Sequence, residues 1–189
     1  MSKDTRYLKQ THTYVFVLMS YLGKLLSQEL QIPFIEGDEL HPEANINKMS
    51  LGIPLKDSDR YPWLQDIINN VSKLADTKNS QYILVSCSAL KAAYREFLRK
   101  NFIERNIITW FVYLKNDKQI LKERMQRRGN HFMKVNMLES QFKDLEEPIN
   151  EVNTVTVEAD NNLSLVKKII HENTNKYLPQ FPQHTNSHN

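Results

Sequence analysis

The chain has 189 residues, enough for one domain whose core buries roughly 70% of the unfolded surface. Its 25 basic and 22 acidic residues leave a formal charge of +3 spread along the length, with no polybasic run, so nucleic acid is not an expected partner. A single cysteine excludes an intrachain disulfide framework and any multi-cysteine metal site; no cleavable signal pattern or bilayer-length apolar run is present, so no membrane association and a cytoplasmic location are expected.

Residues 1–12 read as an N-terminal extension to a domain over 13–178. The apolar run Tyr14 to Met19 predicts a buried strand, and Ser20 to Leu30 predicts a helix directly after it. A weaker strand pattern near Ile32 to Ile35 comes next, then a helix over Trp63 to Leu74 and a strand over Tyr82 to Val85. A helix over Ala89 to Phe102, a strand over Ile107 to Leu114 and a helix over Lys118 to Arg128 continue the alternation. It closes with a weak strand at Val152 to Val157 and a helix at Leu163 to Asn173. Residues 179–189 lack apolar periodicity and predict a disordered tail, whose His184 and His188 make no convincing metal site. Strands alternating with helices predict an α/β fold with a parallel sheet covered on both faces.

Three clusters carry possible chemistry. Asp38 stands just beyond a strand end, where open parallel sheets bind ligands; composition alone makes it equally a turn acid or helix cap. Asp57, Asp59 and Arg60 form a polar loop ahead of Trp63. A guanidinium there can grip a carboxylate bidentately, or the group can be a capping cluster with Asp57 or Ser58 as N-cap. Lys91 and Arg95 are four apart and share one face of a helix beginning near Ser88, either converging on substrate oxygens or forming a solvated basic face. Cys87 reads as a small buried residue at a strand end.

The segments Phe34-Ile35-Glu36-Gly37-Asp38-Glu39-Leu40-His41-Pro42, Gly52 to Leu64, and Cys87-Ser88-Ala89-Leu90-Lys91 with Tyr94-Arg95 stand in one order with Arg124, Arg128, His131-Phe132-Met133 and Ser140-Gln141-Phe142. Together, from about Tyr14 to Ile170, they resemble the gluconokinase family. The resemblance implies a P-loop nucleoside-monophosphate-kinase-like fold, a five-stranded parallel sheet flanked by helices, with a lid at about 124–146. It implies ATP-dependent phosphorylation of D-gluconate to 6-phosphogluconate, with ATP as co-substrate and Mg²⁺, and allows a homodimer. By the same resemblance, Asp38 prepares the hydroxyl and holds Mg²⁺ through water. Glu36, His41, Asp59, Arg60, Lys91 and Arg95 surround gluconate, and Arg124 and Arg128 close over ATP. His131 contacts substrate or makes a structural hydrogen bond. Gln141, Phe142 and Leu145 fit a helix that positions the lid.

One departure stands at the Met19–Ser20 junction. The family's first strand ends in a Gly-rich loop whose backbone N–H groups and Lys hold the phosphates of ATP, and here strand and helix patterns meet without it. Gly23-Lys24 is followed by Leu25 where a Ser or Thr belongs, so Lys24 reads as a solvated helix residue. Ser20 is the candidate Mg²⁺ hydroxyl, or equally an N-cap. Three readings follow: a working gluconate kinase, a gluconate-binding pseudokinase acting as a binding or interaction protein, and an ordinary kinase from whose gene model the loop codons were dropped. A nucleotide kinase is weaker, because Leu40-His41-Pro42 and Cys87 to Lys91 do not suit it.

Overall fold

The computed structural model describes residues 13–18, 23–78, 81–115 and 135–158. In chain order these form β1 (Thr13–Leu18), α1 (Gly23–Leu30), β2 (Phe34–Glu36), a 3-10 turn (Gly37–Leu40), α2 (Glu43–Ser50), α3 (Asp57–Lys78), β3 (Tyr82–Ser86), α4 (Ala92–Ile103), β4 (Ile107–Lys115), α5 (Val135–Asp144) and β5 (Thr154–Glu158). The strands make one sheet in the order β2-β3-β1-β4-β5, and every neighbouring pair is parallel.

Alternation along β1 explains the layers. Val15 and Val17 join Trp63, Leu64, Ile67, Leu98 and Phe102, whereas Phe16 and Leu18 join Leu26, Trp110 and Val112 on the opposite face. These four consecutive residues of β1 are fully buried, so this part of the strand reads as a continuous apolar run and not as an alternating one. β1 pairs with β3 on one side and β4 on the other. The strand order therefore reverses beside β1, and the crevice beyond the strands' C-terminal ends is where such sheets place ligands.

Two helix starts differ from the sequence pattern. α3 begins at Asp57, six residues before the helical pattern that starts at Trp63, and has Pro62 within it. Its first turn is fixed by Asp59, whose Oδ2 accepts the backbone N–H of Lys56 at 3.0 Å, the return half of a capping box. α4 begins at Ala92 because Ala89 has a left-handed backbone (φ 38) and Lys91 is extended. Of the expected organisation, the N-terminal extension, the Met19 to Leu22 junction with Ser20, the helices Lys118 to Arg128 and Leu163 to Asn173, the lid residues 124–134 and the tail lie outside the described residues. Gln141 and Phe142 fall within α5, with Leu145 just after it. No helix among the described residues is long and apolar enough to cross a membrane.

Candidate active site

The site starts where β2 gives way to the 3-10 turn. Gly37 donates its N–H to Ser86 Oγ at 2.9 Å, and its carbonyl accepts Trp63 Nε1–H at 2.7 Å. The Ser86 hydroxyl in turn donates to Glu36 Oε1. A Cβ at position 37 would lie 2.1 Å from the Ser86 carbonyl oxygen, so only glycine brings the turn this close to β3. Both peptide groups of Gly37 are thus held, with Glu36 on one side and Asp38 on the other. Asp38 itself is exposed at the surface. Protein crowded around it removes part of its hydration, and this, followed by the Glu36 charge, raises its carboxyl above the ordinary carboxylate range. Its contact with solvent screens part of that effect.

His41, next along the turn, stacks on Trp63 with ring centroids 4.2 Å apart and an interplanar angle of 14°. Burial and then the Arg60 charge lower its pKa to about 4, so the imidazole is neutral at physiological pH. Buried Asn45 holds two elements together: its Nδ2 donates to the Asp59 carbonyl at 2.9 Å and lies 3.4 Å from His41 Nδ1. With Asn45 as the donor, His41 Nδ1 accepts and the ring's proton sits on Nε2, an assignment made from the hydrogen-bond pattern.

The first turn of α3 supplies the charged wall. Arg60 is 6% exposed; its Nη2 meets Asp144 Oδ2 at 3.1 Å, and its guanidinium lies 5.7 Å from the Tyr94 ring centre. Asp57 accepts from Lys91 Nζ at 2.7 Å and from Tyr94 Oη at 2.6 Å, and these bonds hold its carboxyl below the ordinary range. Asp59 is engaged at both oxygens, by Lys48 Nζ at 2.6 Å and the Lys56 N–H. Buried Cys87 lies within the field of both sides, its thiol raised by Asp38 and lowered by Arg60, although burial dominates and pushes it up to about 12. It is an inert residue one position past β3, as its place in the sequence suggests.

Arg95 and Lys91 do not converge. The Arg95 side chain is fully buried, and all five donors are taken within the protein. Nε donates to Glu151, Nη1 to the Ala89 and Leu90 carbonyls at 2.8 and 3.0 Å, and Nη2 to the Glu146 carbonyl at 2.9 Å and to Glu151. Lys91 precedes α4 instead of sharing its face, and turns to Asp57. The expectation of two cations converging from one helix therefore gives way to one surface pair and one buried structural guanidinium. Arg124, Arg128, His131 and Ser20 lie outside the described residues. Ser86, Trp63 and Asp144 were not among the expected site residues. Trp63 stood inside the Gly52 to Leu64 segment and Ser86 directly before Cys87, which was the only signal for either.

The sequence has relatives over most of its length. A probable gluconokinase of Schizosaccharomyces pombe is 37% identical over 180 residues, 87% of this chain and 93% of that protein. The chain belongs to the gluconokinase family. The thermoresistant gluconokinase of Escherichia coli is 39% identical over 155 residues, covering 79% of this chain and 85% of its own length. The crystal structure of a gluconokinase from Sinorhizobium meliloti aligns with a TM-score of 0.69 at 34% identity, over 89% of this chain and 98% of that one. An APS kinase of Mycobacterium tuberculosis, 16% identical with a TM-score of 0.58, shares the fold alone. The gluconokinase-family chain accordingly has the P-loop kinase fold. No protein-family model matches it.

Proposed function

We propose that the chain transfers the γ-phosphoryl group of ATP to a hydroxyl of gluconate, giving 6-phosphogluconate. The observation that carries this reading is the fixed Gly37 turn, held by Ser86 and Trp63, which presents Asp38 just beyond the C-terminal end of β2. Gluconate carries a carboxylate at one end and the reacting hydroxyl at the other. Arg60 binds the carboxylate, Asp38 accepts the hydroxyl proton as the oxygen attacks, and neutral His41 offers Nε2–H to a sugar oxygen. The raised proton affinity of Asp38 suits a base that must take a proton in the transition state. Lys91, Asp59 and Glu36 frame the pocket through the bonds already described, while Arg124 and Arg128 neutralise charge on the transferred group and His131 contacts substrate.

Mg²⁺ fits this donor set. The ion commonly takes one or two carboxylates and completes its shell with water and phosphate oxygens, so Asp38, with Glu36 beside it and the Ser20 hydroxyl, would hold it. When bound, it neutralises charge on the phosphates of ATP.

A second reading has its own observation. The sequence from Tyr14 to Leu30 contains no Gly-rich Lys loop, and positioning is most of what a phosphoryl-transfer enzyme supplies. That favours a gluconate-binding protein without turnover. The deciding experiment is gluconate-dependent ADP release by the chain as it stands, beside a variant with a Gly-rich Lys loop inserted between Met19 and Ser20. Comparable turnover by both supports the kinase reading and removes the need for the loop. Turnover by the insertion variant alone, with gluconate binding by both, supports the binding protein. No turnover and no binding by either sinks both readings.

A further inference from the structure

A nearly buried guanidinium needs a counter-charge, and Arg60 has one from outside its own helix. Asp144, the last residue of α5, meets it at 3.1 Å. The nearby acids of α3 are committed elsewhere: Asp57 to Lys91 and Tyr94, and Asp59 to Lys48 and the Lys56 N–H. Among the described residues, Asp144 is the one carboxylate bonded to Arg60. The partners are unequally placed, with 8% of the Arg60 side chain exposed against 28% for Asp144. Breaking the pair returns Asp144 to water at small cost but leaves Arg60 a desolvated cation. The remaining bond of Arg60, Nε to the Leu55 carbonyl at 3.4 Å, is long and brings no charge.

We propose that Asp144 is a specificity-determining placeholder, occupying the carboxylate position on Arg60 until an acidic sugar takes it. The idea rests on the reading of Arg60 as the anchor for the gluconate carboxylate. An incoming carboxylate exchanges one anion for another and keeps the charge balance. A neutral polyol cannot: it either finds the anchor closed or leaves the guanidinium without a partner, and both disfavour it. Discrimination against uncharged sugars thus comes from a competitor that only an anion can replace.

The test reads binding, so it does not depend on turnover. The full chain, D144N and D144E are titrated calorimetrically with gluconate and with glucitol, its uncharged counterpart. Asp144→Asn removes the competitor and is expected to tighten gluconate about tenfold, on the scale of charge-pair couplings at binding sites. Asp144→Glu keeps the charge and returns the affinity toward wild type, while glucitol gains little in any variant. A wild-type measurement stands beside these in case the Asn variant folds poorly. Saturating gluconate is expected to speed hydrogen exchange in the last turn of α5, where the freed Asp144 sits. Equal or weaker gluconate binding by D144N overturns the inference, as does unchanged exchange in α5 of the wild type. Absence of gluconate binding by wild type and variants alike sinks the gluconate reading itself.

Discussion

Asp38 and His41 are three positions apart on one turn, yet their environments push them in opposite functional directions. Crowding and the Glu36 charge favour protonated Asp38. Its contribution to stability is therefore present at low pH and lost as pH rises through the ordinary carboxylate range toward the raised native value. At neutral pH the ionised carboxylate is a small burden on the fold. Asp38→Asn is expected to leave stability unchanged or raised by less than about 1 kcal/mol, given the solvent contact. The same variant should lower gluconate-dependent ADP release by about 10²–10⁴-fold, the usual worth of a general base. Melting curves and initial rates on one preparation check both. His41 has the reverse shift, down to about 4 from 6.5. The unfolded chain then binds the extra proton, so native stability is full above about 6.5 and falls as pH drops toward 4. In His41→Gln, urea midpoints measured across that window should lose most of this slope; an unchanged slope would place the titration elsewhere.

At the level of elements, two junctions hold the site. The first joins β2, β3 and α3 through Gly37. Because a Cβ there meets the Ser86 carbonyl at 2.1 Å, Gly37→Ala is expected to cost about 2–4 kcal/mol, in the range of overpacked core substitutions. It should also depress turnover beyond what the lost stability explains, since the turn carries Asp38. Urea unfolding and rates measured well below the transition separate the two effects. The second junction is Arg95, which ties the strained Ala89 turn and the Glu146 to Glu151 segment to α4. A lysine keeps the charge but cannot serve three carbonyls and a carboxylate from one fork. Arg95→Lys should therefore cost about 2–4 kcal/mol in urea unfolding. Gluconate affinity should be retained in whatever remains folded; a selective loss of gluconate binding with stability intact would return Arg95 to the substrate.

Across the whole molecule, each face of the sheet has its own tryptophan: Trp63, carried by α3, packs in the layer with Val15, Val17 and Leu98, and Trp110, on β4, packs in the layer with Leu26 of α1. β1 contributes to both layers through alternate residues, so neither should unfold alone. In W110F and in W63F, the remaining indole emission and the helical circular dichroism of the same variant are expected to change at the same urea concentration. Separated transitions would mean that the layers are independent. The parallel sheet was legible in the sequence because strands buried on both faces leave continuous apolar runs, as Tyr14 to Met19 and Ile107 to Leu114 do. The place of Asp38 just past a strand end was legible in the sequence, while the role proposed for it came from the family resemblance. Arg95 was misread because spacing along a helix says which face a residue shares, but not whether that face meets substrate or the segment beside β5. The Arg60–Asp144 pair joins residues 84 positions apart, a separation at which no local pattern carries a signal.

The central position of β1 has a consequence for synthesis. Its neighbours β3 and β4 are encoded far downstream, the second ending at Lys115. Until Ser86 has been made, both edges of this buried apolar strand lack their partners, and one edge stays unpaired until Lys115, open to other nascent chains. The strand order thus makes β1 the strand that waits longest for its partners during synthesis.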